Sequence, residues 1–271
     1  MEEKLISSKN DIKRIRTYIE GLDEQIQGGV PENSITLICG SSGSMKSSVS
    51  FNIAYHEVLK GKKALYISLE QSWYSLLNHM TNLDFNLSKI NLVVISDLSE
   101  FNQKIQKVKS GKGGAFVITD IGAIRKEIKA VKISPSSDWL NVVKNVVKKM
   151  KQASGCDILI IDSLSALYVL SNFTHPRTEL FYIFEFLRDL DLTCFLVSET
   201  PRDGSRYGEF GVEDFLVDGV IRLQLVERQR KVTREISVVK MRATACNVDV
   251  FSLEFENGKF KALYGGQPAL I

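Results

Sequence analysis

The chain has 271 residues, of which 44% are hydrophobic and 25% are charged. This composition is typical of a large α/β domain and excludes disordered, collagenous and small disulfide-stapled proteins. The net charge of +3 is too small to indicate a polyanion-binding protein. No apolar run approaches the roughly 20 residues that span a bilayer, and no secretory signal is visible. Since the four cysteines are far apart and form no C-x-x-C pair, we expect a cytoplasmic protein without a membrane segment.

Short apolar runs alternate with longer amphipathic stretches, as in β-α units that build a parallel sheet. The runs predict strands at 35–39, 64–70, 91–96, 157–163 and 193–199. Later runs at 219–227, 234–242 and 250–255 are joined by short polar turns, which is typical of antiparallel strands. We predict an α/β fold with a mostly parallel central sheet flanked by helices, and with antiparallel strands at its carboxyl-terminal end.

The clearest helix is predicted at 137–151, where apolar residues recur at i, i+3 and i+4 spacing. Lysines occupy its opposite face, which is typical of a solvated surface. Neither a long repeat nor a proline-rich linker interrupts the chain. We therefore predict an N-terminal lead-in segment at 1–20 and a single domain at 21–271.

A phosphate-binding loop is predicted where the first long apolar strand ends. The sequence GSSGSMKS at 40–47 lies between this strand and an amphipathic stretch, which is the context of a P-loop. In such a loop the backbone N–H groups surround a phosphate, Lys46 reaches the β- and γ-phosphates, and the Ser47 hydroxyl binds Mg²⁺. The residues predicted to bind the nucleotide are Gly40, Ser41, Ser42, Gly43, Ser44, Met45, Lys46, Ser47 and Ser48.

Met45 stands where the pattern G-x-x-x-x-G-K-[ST] has its second glycine. A glycine tolerates backbone angles that a Cβ disfavours, so we expect either strain of about 1–2 kcal/mol or a slightly remodelled loop. Binding is then compatible with slow hydrolysis. Taken alone, the octapeptide is also explained by a serine- and glycine-rich turn between a strand and a helix.

A second strand end supplies a carboxylate. The run DILIID at 157–162 has the form of a Walker B strand, in which Asp162 holds Mg²⁺ mostly through water. Open α/β sheets bind ligands in the crevice at the carboxyl ends of their parallel strands, so we expect Asp162 beside the loop. Together the two elements predict binding of ATP or ADP with Mg²⁺.

Several further segments follow one another in an order that is known from one protein family. They are GLDE at 21–24, GGVP at 28–31, SLE at 68–70, DS at 162–163, DGVI at 218–221 and KMR at 240–242. Through these segments the chain resembles the KaiC-like branch of the RecA superfamily, which is common in archaea as single-domain proteins. The resemblance implies a RecA-like P-loop NTPase fold and ATPase activity.

The resemblance also implies roles for two carboxylates at strand ends. Glu70 is similar to the catalytic carboxylate that orients or deprotonates the water attacking the γ-phosphorus. Gln71, which follows it, departs from the family, where a second acid is frequent. Glu199 lies where RecA-like proteins place a polar residue that senses the γ-phosphate. Without the resemblance, Glu70 is also explained as a surface or capping residue.

Lys240 and Arg242 match the family's Lys-x-Arg pair, which reaches from one subunit into the nucleotide of its neighbour and is counted here with the catalytic residues. Residues two apart in a strand share a face, so both cations are able to face one phosphate. The spacing alone is also explained by an ordinary basic strand face. The pair in trans implies a homo-oligomer, in this family usually a hexameric ring.

Single-stranded nucleic acid is an alternative ligand for two loops at about 171–177 and 201–211. Arg177, Arg202 and Arg206 are the cations that would contact its backbone. Glu209 and neighbouring acidic residues dilute this charge, so the loops are also explained by loop hydrogen bonding and by a ring-pore lining.

We therefore expect an ATPase of low turnover that assembles as a ring, acts as a nucleotide-dependent switch and works with an unidentified protein partner. Two alternatives remain open. One is a RecA/RadA-paralogue-like DNA repair accessory protein, and the other is a nucleotide-gated scaffold with negligible hydrolysis.

Overall fold

Strands and helices alternate along most of the chain, as the apolar pattern predicts. The computed structural model describes residues 8, 11–111, 113–131, 135–171, 173–201, 206–228 and 230–264. The strands are β1 (Arg14–Ile15), β2 (Ile19–Glu20), β3 (Val30–Pro31), β4 (Ile35–Gly40), β5 (Lys63–Ser68), β6 (Leu92–Ile95), β7 (Ala115–Asp120), β8 (Ile158–Asp162), β9 (Thr193–Glu199), β10 (Gly219–Arg228), β11 (Lys231–Met241), β12 (Val250–Glu256) and β13 (Lys259–Tyr264). The helices are α1 (Lys46–Leu59), α2 (Trp73–Asn82), α3 (Phe101–Ser110), α4 (Ile121–Val131), α5 (Pro135–Ser154), α6 (Leu164–Ser171), α7 (Pro176–Arg188) and α8 (Glu213–Leu216).

One large sheet organises the described part of the chain. Its strands lie in the order β2-β13-β12-β11-β10-β4-β9-β8-β5-β7-β6. From β10 to β6 all neighbours are parallel, whereas β10, β11, β12 and β13 pair antiparallel with one another. The short strand β2 lies parallel to β13 at the edge. The predicted fold class, a mostly parallel α/β sheet with antiparallel strands at its carboxyl-terminal end, is confirmed.

All the strands that the sequence predicts are present, but the structure contains further strands that it does not predict. The eight predicted strands appear with ends shifted by up to three residues, and the predicted helix at 137–151 lies within α5. The strands β7 and β13 are not predicted, although β7 is buried between β5 and β6. The short strand β1 pairs with β3, and the buried side chains of Ile15 and Ile19 tie residues 14–20 to the rest of the domain.

Helices cover both faces of the sheet, because its central strands are apolar on both sides. Apolar side chains of α1 and α2 pack on one face, and those of α3 to α7 pack on the other. This arrangement leaves the carboxyl ends of the parallel strands as an open edge, where strand-following loops meet. No helix in the described residues is long and apolar enough to cross a membrane.

Candidate functional site

The loop between β4 and α1 is built around two glycines. A Cβ on Gly40 would lie 1.9 Å from the Leu223 carbonyl oxygen, so only glycine fits where β4 passes β10. Gly43 has a φ of +80°, a left-handed conformation that glycine adopts without strain. The chain then turns directly into α1, whose amino terminus faces the loop. This is the strand-loop-helix geometry that the sequence predicts for a phosphate-binding loop.

Met45 occupies the left-handed conformation itself, with φ of 74° and ψ of 26°. Its carbonyl accepts the Val49 N–H at 2.9 Å, so it caps the first turn of α1. Its side chain is half-buried against the core that α1 shares with the sheet. The loop therefore keeps the backbone angles that normally call for glycine, and Met45 carries the steric cost.

Lys46 lies inside the loop with only 8% of its surface exposed. Its ammonium group donates to the Ser41 carbonyl at 2.9 Å and lies 3.8 Å from Glu199 Oε1. Among the described residues, the N–H groups of Gly43, Met45 and Lys46 donate to no acceptor, and the buried Ser41 hydroxyl has no partner. These donors at a helix amino terminus fit an anion of phosphate size.

Asp162 ends β8 with a buried carboxylate beside the loop. The Tyr66 hydroxyl donates to Asp162 Oδ2 at 2.5 Å. Burial raises the pKa of Asp162 and the nearby charge of Glu70 adds to the rise, while hydrogen bonds from Tyr66 and Ser47 oppose it. A buried carboxylate next to a serine hydroxyl matches the oxygen ligands that Mg²⁺ prefers, so this pair fits the metal that the sequence predicts.

Glu70 follows β5, the strand next to β8, and its side chain is exposed. The Ser163 hydroxyl donates to Glu70 Oε1 and fixes the direction of the carboxylate. The peptide bond between Asp162 and Ser163 is cis. Because Ser163 follows Asp162 directly, the Asp162 carboxylate and Glu70 are held together by one short segment.

A cavity of about 640 Å³ brings these groups together. Predicted site residues that line it are Ser42, Gly43, Met45, Lys46, Ser47, Ser48, Glu70, Asp162 and Glu199. The other lining residues, which the sequence does not single out for binding, are Gln71, His79, Leu83, Arg234 and Phe255. Polar groups thus crowd the loop side of the cavity, and apolar side chains lie among the remaining lining residues.

Two of these additional residues touch the loop directly. Arg234 Nε on β11 donates to the Gly43 carbonyl at 3.3 Å, and His79 Nε2 on α2 lies 3.3 Å from the Ser48 hydroxyl. Arg234 reaches the loop because Ile236, two residues along β11, is level with Gly40 across β10. The alternation along the strand places Arg234 and Ile236 on one face, but only the sheet register shows which loop that face meets.

Lys240 and Arg242 contact their own chain. The Lys240 ammonium donates to the carbonyls of Asp214 and Val217, each at 2.7 Å, and Arg242 pairs with Asp218 at 3.0 Å. Burial lowers the pKa of Lys240, and the neighbouring Arg242 charge lowers it further. Both cations therefore cluster with the segment that connects α8 to β10.

The Lys240 and Arg242 pair lies at the opposite end of the sheet from its own phosphate loop. Met241 is level with Gly219 and Thr36, near the start of β4, whereas the loop begins at Gly40. Four strand residues separate the two levels, which is about 13 Å along the strand. The pair therefore lies outside the phosphate-loop cavity of this chain.

Comparison with known proteins identifies the family to which this chain belongs. The profile described as "ATPase: KaiC" matches residues 15–261, which is most of the chain. The chain belongs to the KaiC family. A UPF0273 protein from Pyrobaculum aerophilum is 26% identical to it over 253 residues, covering 93% of this chain and 83% of the relative. A UPF0273 protein from Thermotoga maritima is 28% identical over 245 residues, covering 86% and 89%.

The circadian clock oscillator protein KaiC of Prochlorococcus marinus is 25% identical over 250 residues. The match covers 90% of this chain but 44% of that protein. Among solved structures, the KaiC-like protein PH0186 from Pyrococcus horikoshii superposes with a TM-score of 0.71 at 20% identity, covering 93% of this chain and all of that one. The single-domain KaiC-like, RecA-type fold is thereby confirmed, together with membership in a nucleotide-binding ATPase family.

Two of the three cations predicted for nucleic acid lie within the described residues of this KaiC-family chain. Arg177 is an exposed residue of the first turn of α7, and the exposed Arg206 packs over Gly211. Arg202 lies outside the described residues. Neither Arg177 nor Arg206 lines the cavity at the phosphate loop.

Proposed function

We propose that the protein binds ATP, or its product ADP, with Mg²⁺ in the cavity at the phosphate loop and hydrolyses ATP slowly as a nucleotide-dependent switch. The observation that carries this proposal is the convergence of Lys46, Asp162 and Glu70 on one cavity from three different strand ends. Such convergence at the carboxyl edge of a parallel sheet is typical of nucleotide sites.

Binding rests on the loop. The free N–H groups and Lys46 would surround the phosphates, and Ser47 with Asp162 would hold Mg²⁺. When bound, Mg²⁺ neutralises negative charge on the phosphate oxygens. The burial of Asp162 supports this role. Burial destabilises the charged form of the carboxylate and raises its pKa, and a bound cation would stabilise that charged form.

Hydrolysis rests on Glu70. With Oε1 held by the Ser163 hydroxyl, the carboxylate is positioned to accept a proton from a water that attacks the γ-phosphorus, as the bond to the ADP oxygen breaks. Gln71 contributes no second negative charge beside it, and Met45 strains the loop. Both features favour low turnover.

Completion of the site rests on a neighbouring subunit. Since Lys240 and Arg242 lie at the far end of their own sheet, we infer that they serve the nucleotide of the next copy in a closed ring, with six copies as in the family's usual assembly. This inference also supports a homo-oligomer as the working form.

Calorimetric titration with ATP and Mg²⁺ tests the binding proposal. We expect Lys46→Ala to abolish binding, because it removes the loop's ammonium group, whereas the exposed α5 variant Lys148→Ala binds like the unmodified protein. Equal affinity of the Lys46→Ala variant would show that the nucleotide binds elsewhere.

Phosphate release tests catalysis separately from binding. We expect Glu70→Gln to keep ATP affinity and to lower turnover by about 10²-fold or more, the usual contribution of a positioned base. If the unmodified protein releases no phosphate above background, the nucleotide-gated scaffold is the better description. If the Glu70→Gln variant and the unmodified protein release phosphate at the same rate, Glu70 is not the base.

A further inference from the structure

A second cavity adjoins the phosphate-loop cavity at the same edge of the sheet. Its volume is about 620 Å³, and it shares Glu70 and Glu199 with the first cavity. Most of its lining is apolar and comes from segments that follow β5, β7, β8 and β9: Leu69, Ile121, Ala166, Val169, Leu170 and Pro201. Val169 is 75% exposed, so this part of the apolar lining is open to solvent.

Carboxylates surround this apolar cavity. Glu70, Glu199 and Glu209 all line it, and no described lysine or arginine forms an ion pair with Glu70 or Glu209. Burial raises the pKa of Glu209, and the charges of Glu213 and Glu199 add to the rise. The cavity thus combines an apolar floor with three carboxylates, of which Glu199 lies 3.8 Å from the Lys46 ammonium group and the other two have no described cation partner. A complementary occupant is therefore apolar at its tip with cations beside it.

The opposite end of the same molecule presents an exposed aromatic side chain with two cations beside it. Phe215 in α8 is 72% exposed. The carbonyls on either side of it, of Asp214 and Val217, accept hydrogen bonds from Lys240, and Arg242 is anchored one residue beyond at Asp218. The exposed aromatic ring therefore belongs to a short helix that Lys240 braces, and Arg242, Asp214 and Asp218 lie in the same cluster of charges.

We propose that the apolar cavity receives Phe215 of the next copy of this chain. The occupant is a second copy because the Phe215 side chain and the cavity lie at opposite ends of one sheet. Head-to-tail association of copies therefore brings the side chain of one copy to the cavity of the next in every successive pair. The proposal rests on the ring assembly proposed above and adds the apolar anchor of its interface. The same docking brings the neighbour's Lys240 and Arg242 toward the carboxylate rim.

This contact deepens the switch function of the site. Glu70 and Glu199 line both cavities. A movement of either carboxylate on nucleotide binding therefore changes the surroundings of the neighbour's Phe215 side chain. Buried aromatic anchors dominate the energy of many protein interfaces. Phe215 thereby links the strength of assembly to the nucleotide state of the adjoining subunit.

Cross-linking between two cysteine variants tests the contact. Phe215→Cys and Val169→Cys are prepared in a Cys246→Ser background, because Cys246 is the partly exposed native thiol. They are co-expressed, purified with ATP and Mg²⁺, and treated with a short bismaleimide. We expect a cross-linked dimer from the mixture and none from either variant alone. A dimer from Phe215→Cys alone would indicate a face-to-face assembly and overturn the proposal, as would the absence of any dimer.

Affinity measurements give an independent reading. We expect Phe215→Ala to weaken assembly at least about 30-fold in light scattering with ATP, the loss typical of an interface anchor. The control Tyr264→Ala removes an aromatic ring that is 64% exposed on β13, and should assemble normally. Unchanged assembly of Phe215→Ala would overturn the proposal.

Calorimetry separates this inference from the proposed function. Phe215→Ala should still bind ATP in calorimetry, because the residue lies outside the phosphate-loop cavity. If the unmodified protein binds ATP but stays monomeric, the docking proposal and the ring fail while nucleotide binding stands. If it binds no ATP, the proposed function itself fails.

Discussion

The left-handed backbone conformation of Met45 determines which side chains the phosphate loop accepts at this position. Unbranched side chains enter the left-handed region at a cost of about 1–3 kcal/mol, and β-branched ones are rarer still there. The half-buried thioether recovers part of that cost by packing against the core. The loop therefore depends on both the flexibility and the volume of this side chain.

Substituting this position separates conformational strain from volume. We expect Met45→Ile to lower the free energy of unfolding by about 1 kcal/mol relative to Met45→Leu, because isoleucine adds β-branching at a positive φ. Met45→Leu keeps a similar volume without that branch and serves as the control. Urea unfolding of both variants measures the difference. Equal stability would mean that the loop relaxes around any side chain.

At the scale of elements, α1 is fixed at both ends by different chemistry. Its amino terminus faces the phosphate loop, while its carboxyl-terminal half holds the segment between β1 and β2. There the Tyr18 ring stacks on His56 with centroids 4.6 Å apart, its hydroxyl donates to Glu57, and Lys60 lies 4.8 Å from its centroid. The helix therefore ties the first described strands to the core.

The stacked His56 predicts how stability changes with pH. Burial lowers the pKa of His56, and the charge of Lys60 lowers it further. A depressed pKa contributes stability above the unfolded value of about 6.5, and this stability is lost as the pH falls through the folded value. We expect unfolding free energies measured from pH 7 to pH 5 to fall less steeply in His56→Phe, which keeps the stacking. The difference in slope is at most about 1.4 kcal/mol per pH unit. Identical slopes would contradict this origin.

The same scale shows why sequence patterns find some parts of the site and miss others. Lys46 and Asp162 are each recognisable from the end of a local apolar run, whereas Glu70 is singled out by the family resemblance. Parallel strands bring such strand ends to one edge of the sheet. Arg234, His79 and Phe255 enter the cavity through the register of β11 and the packing of α2. Those long-range pairings have no local pattern, so these residues become visible only in the folded chain.

At the scale of the whole molecule, the sheet separates the two groups of residues to which we assign functions. The phosphate loop and both cavities lie at one end, while Phe215, Lys240 and Arg242 lie at the other. Composition and charge predict the domain class correctly but contain nothing about this polarity, which depends on strand order. The antiparallel return of β11 creates it, because β11 carries its carboxyl terminus back to the start of β4.

Complementation between two inactive variants tests whether the cations act across subunits. We expect Arg242→Ala to bind ATP but to lose about 10³-fold in turnover, as arginine fingers do. Co-expressed with Lys46→Ala, it should recover about one quarter of the normal activity, since half the loops and half the fingers are intact at random interfaces. Recovery is measured as phosphate release by the mixture. No recovery, or an undiminished rate in Arg242→Ala alone, would contradict action in trans.

The placement of donor and acceptor at opposite poles of each subunit has an arithmetic consequence for the proposed assembly. In a closed circle every copy donates its Lys240 and Arg242 to one neighbour and accepts those of the other neighbour. The number of complete catalytic centres then equals the number of polypeptides. In an open string the first or last copy lacks a neighbour, and one centre stays incomplete. Closure itself therefore raises specific activity, and a breach in the circle lowers it by one centre however many copies remain.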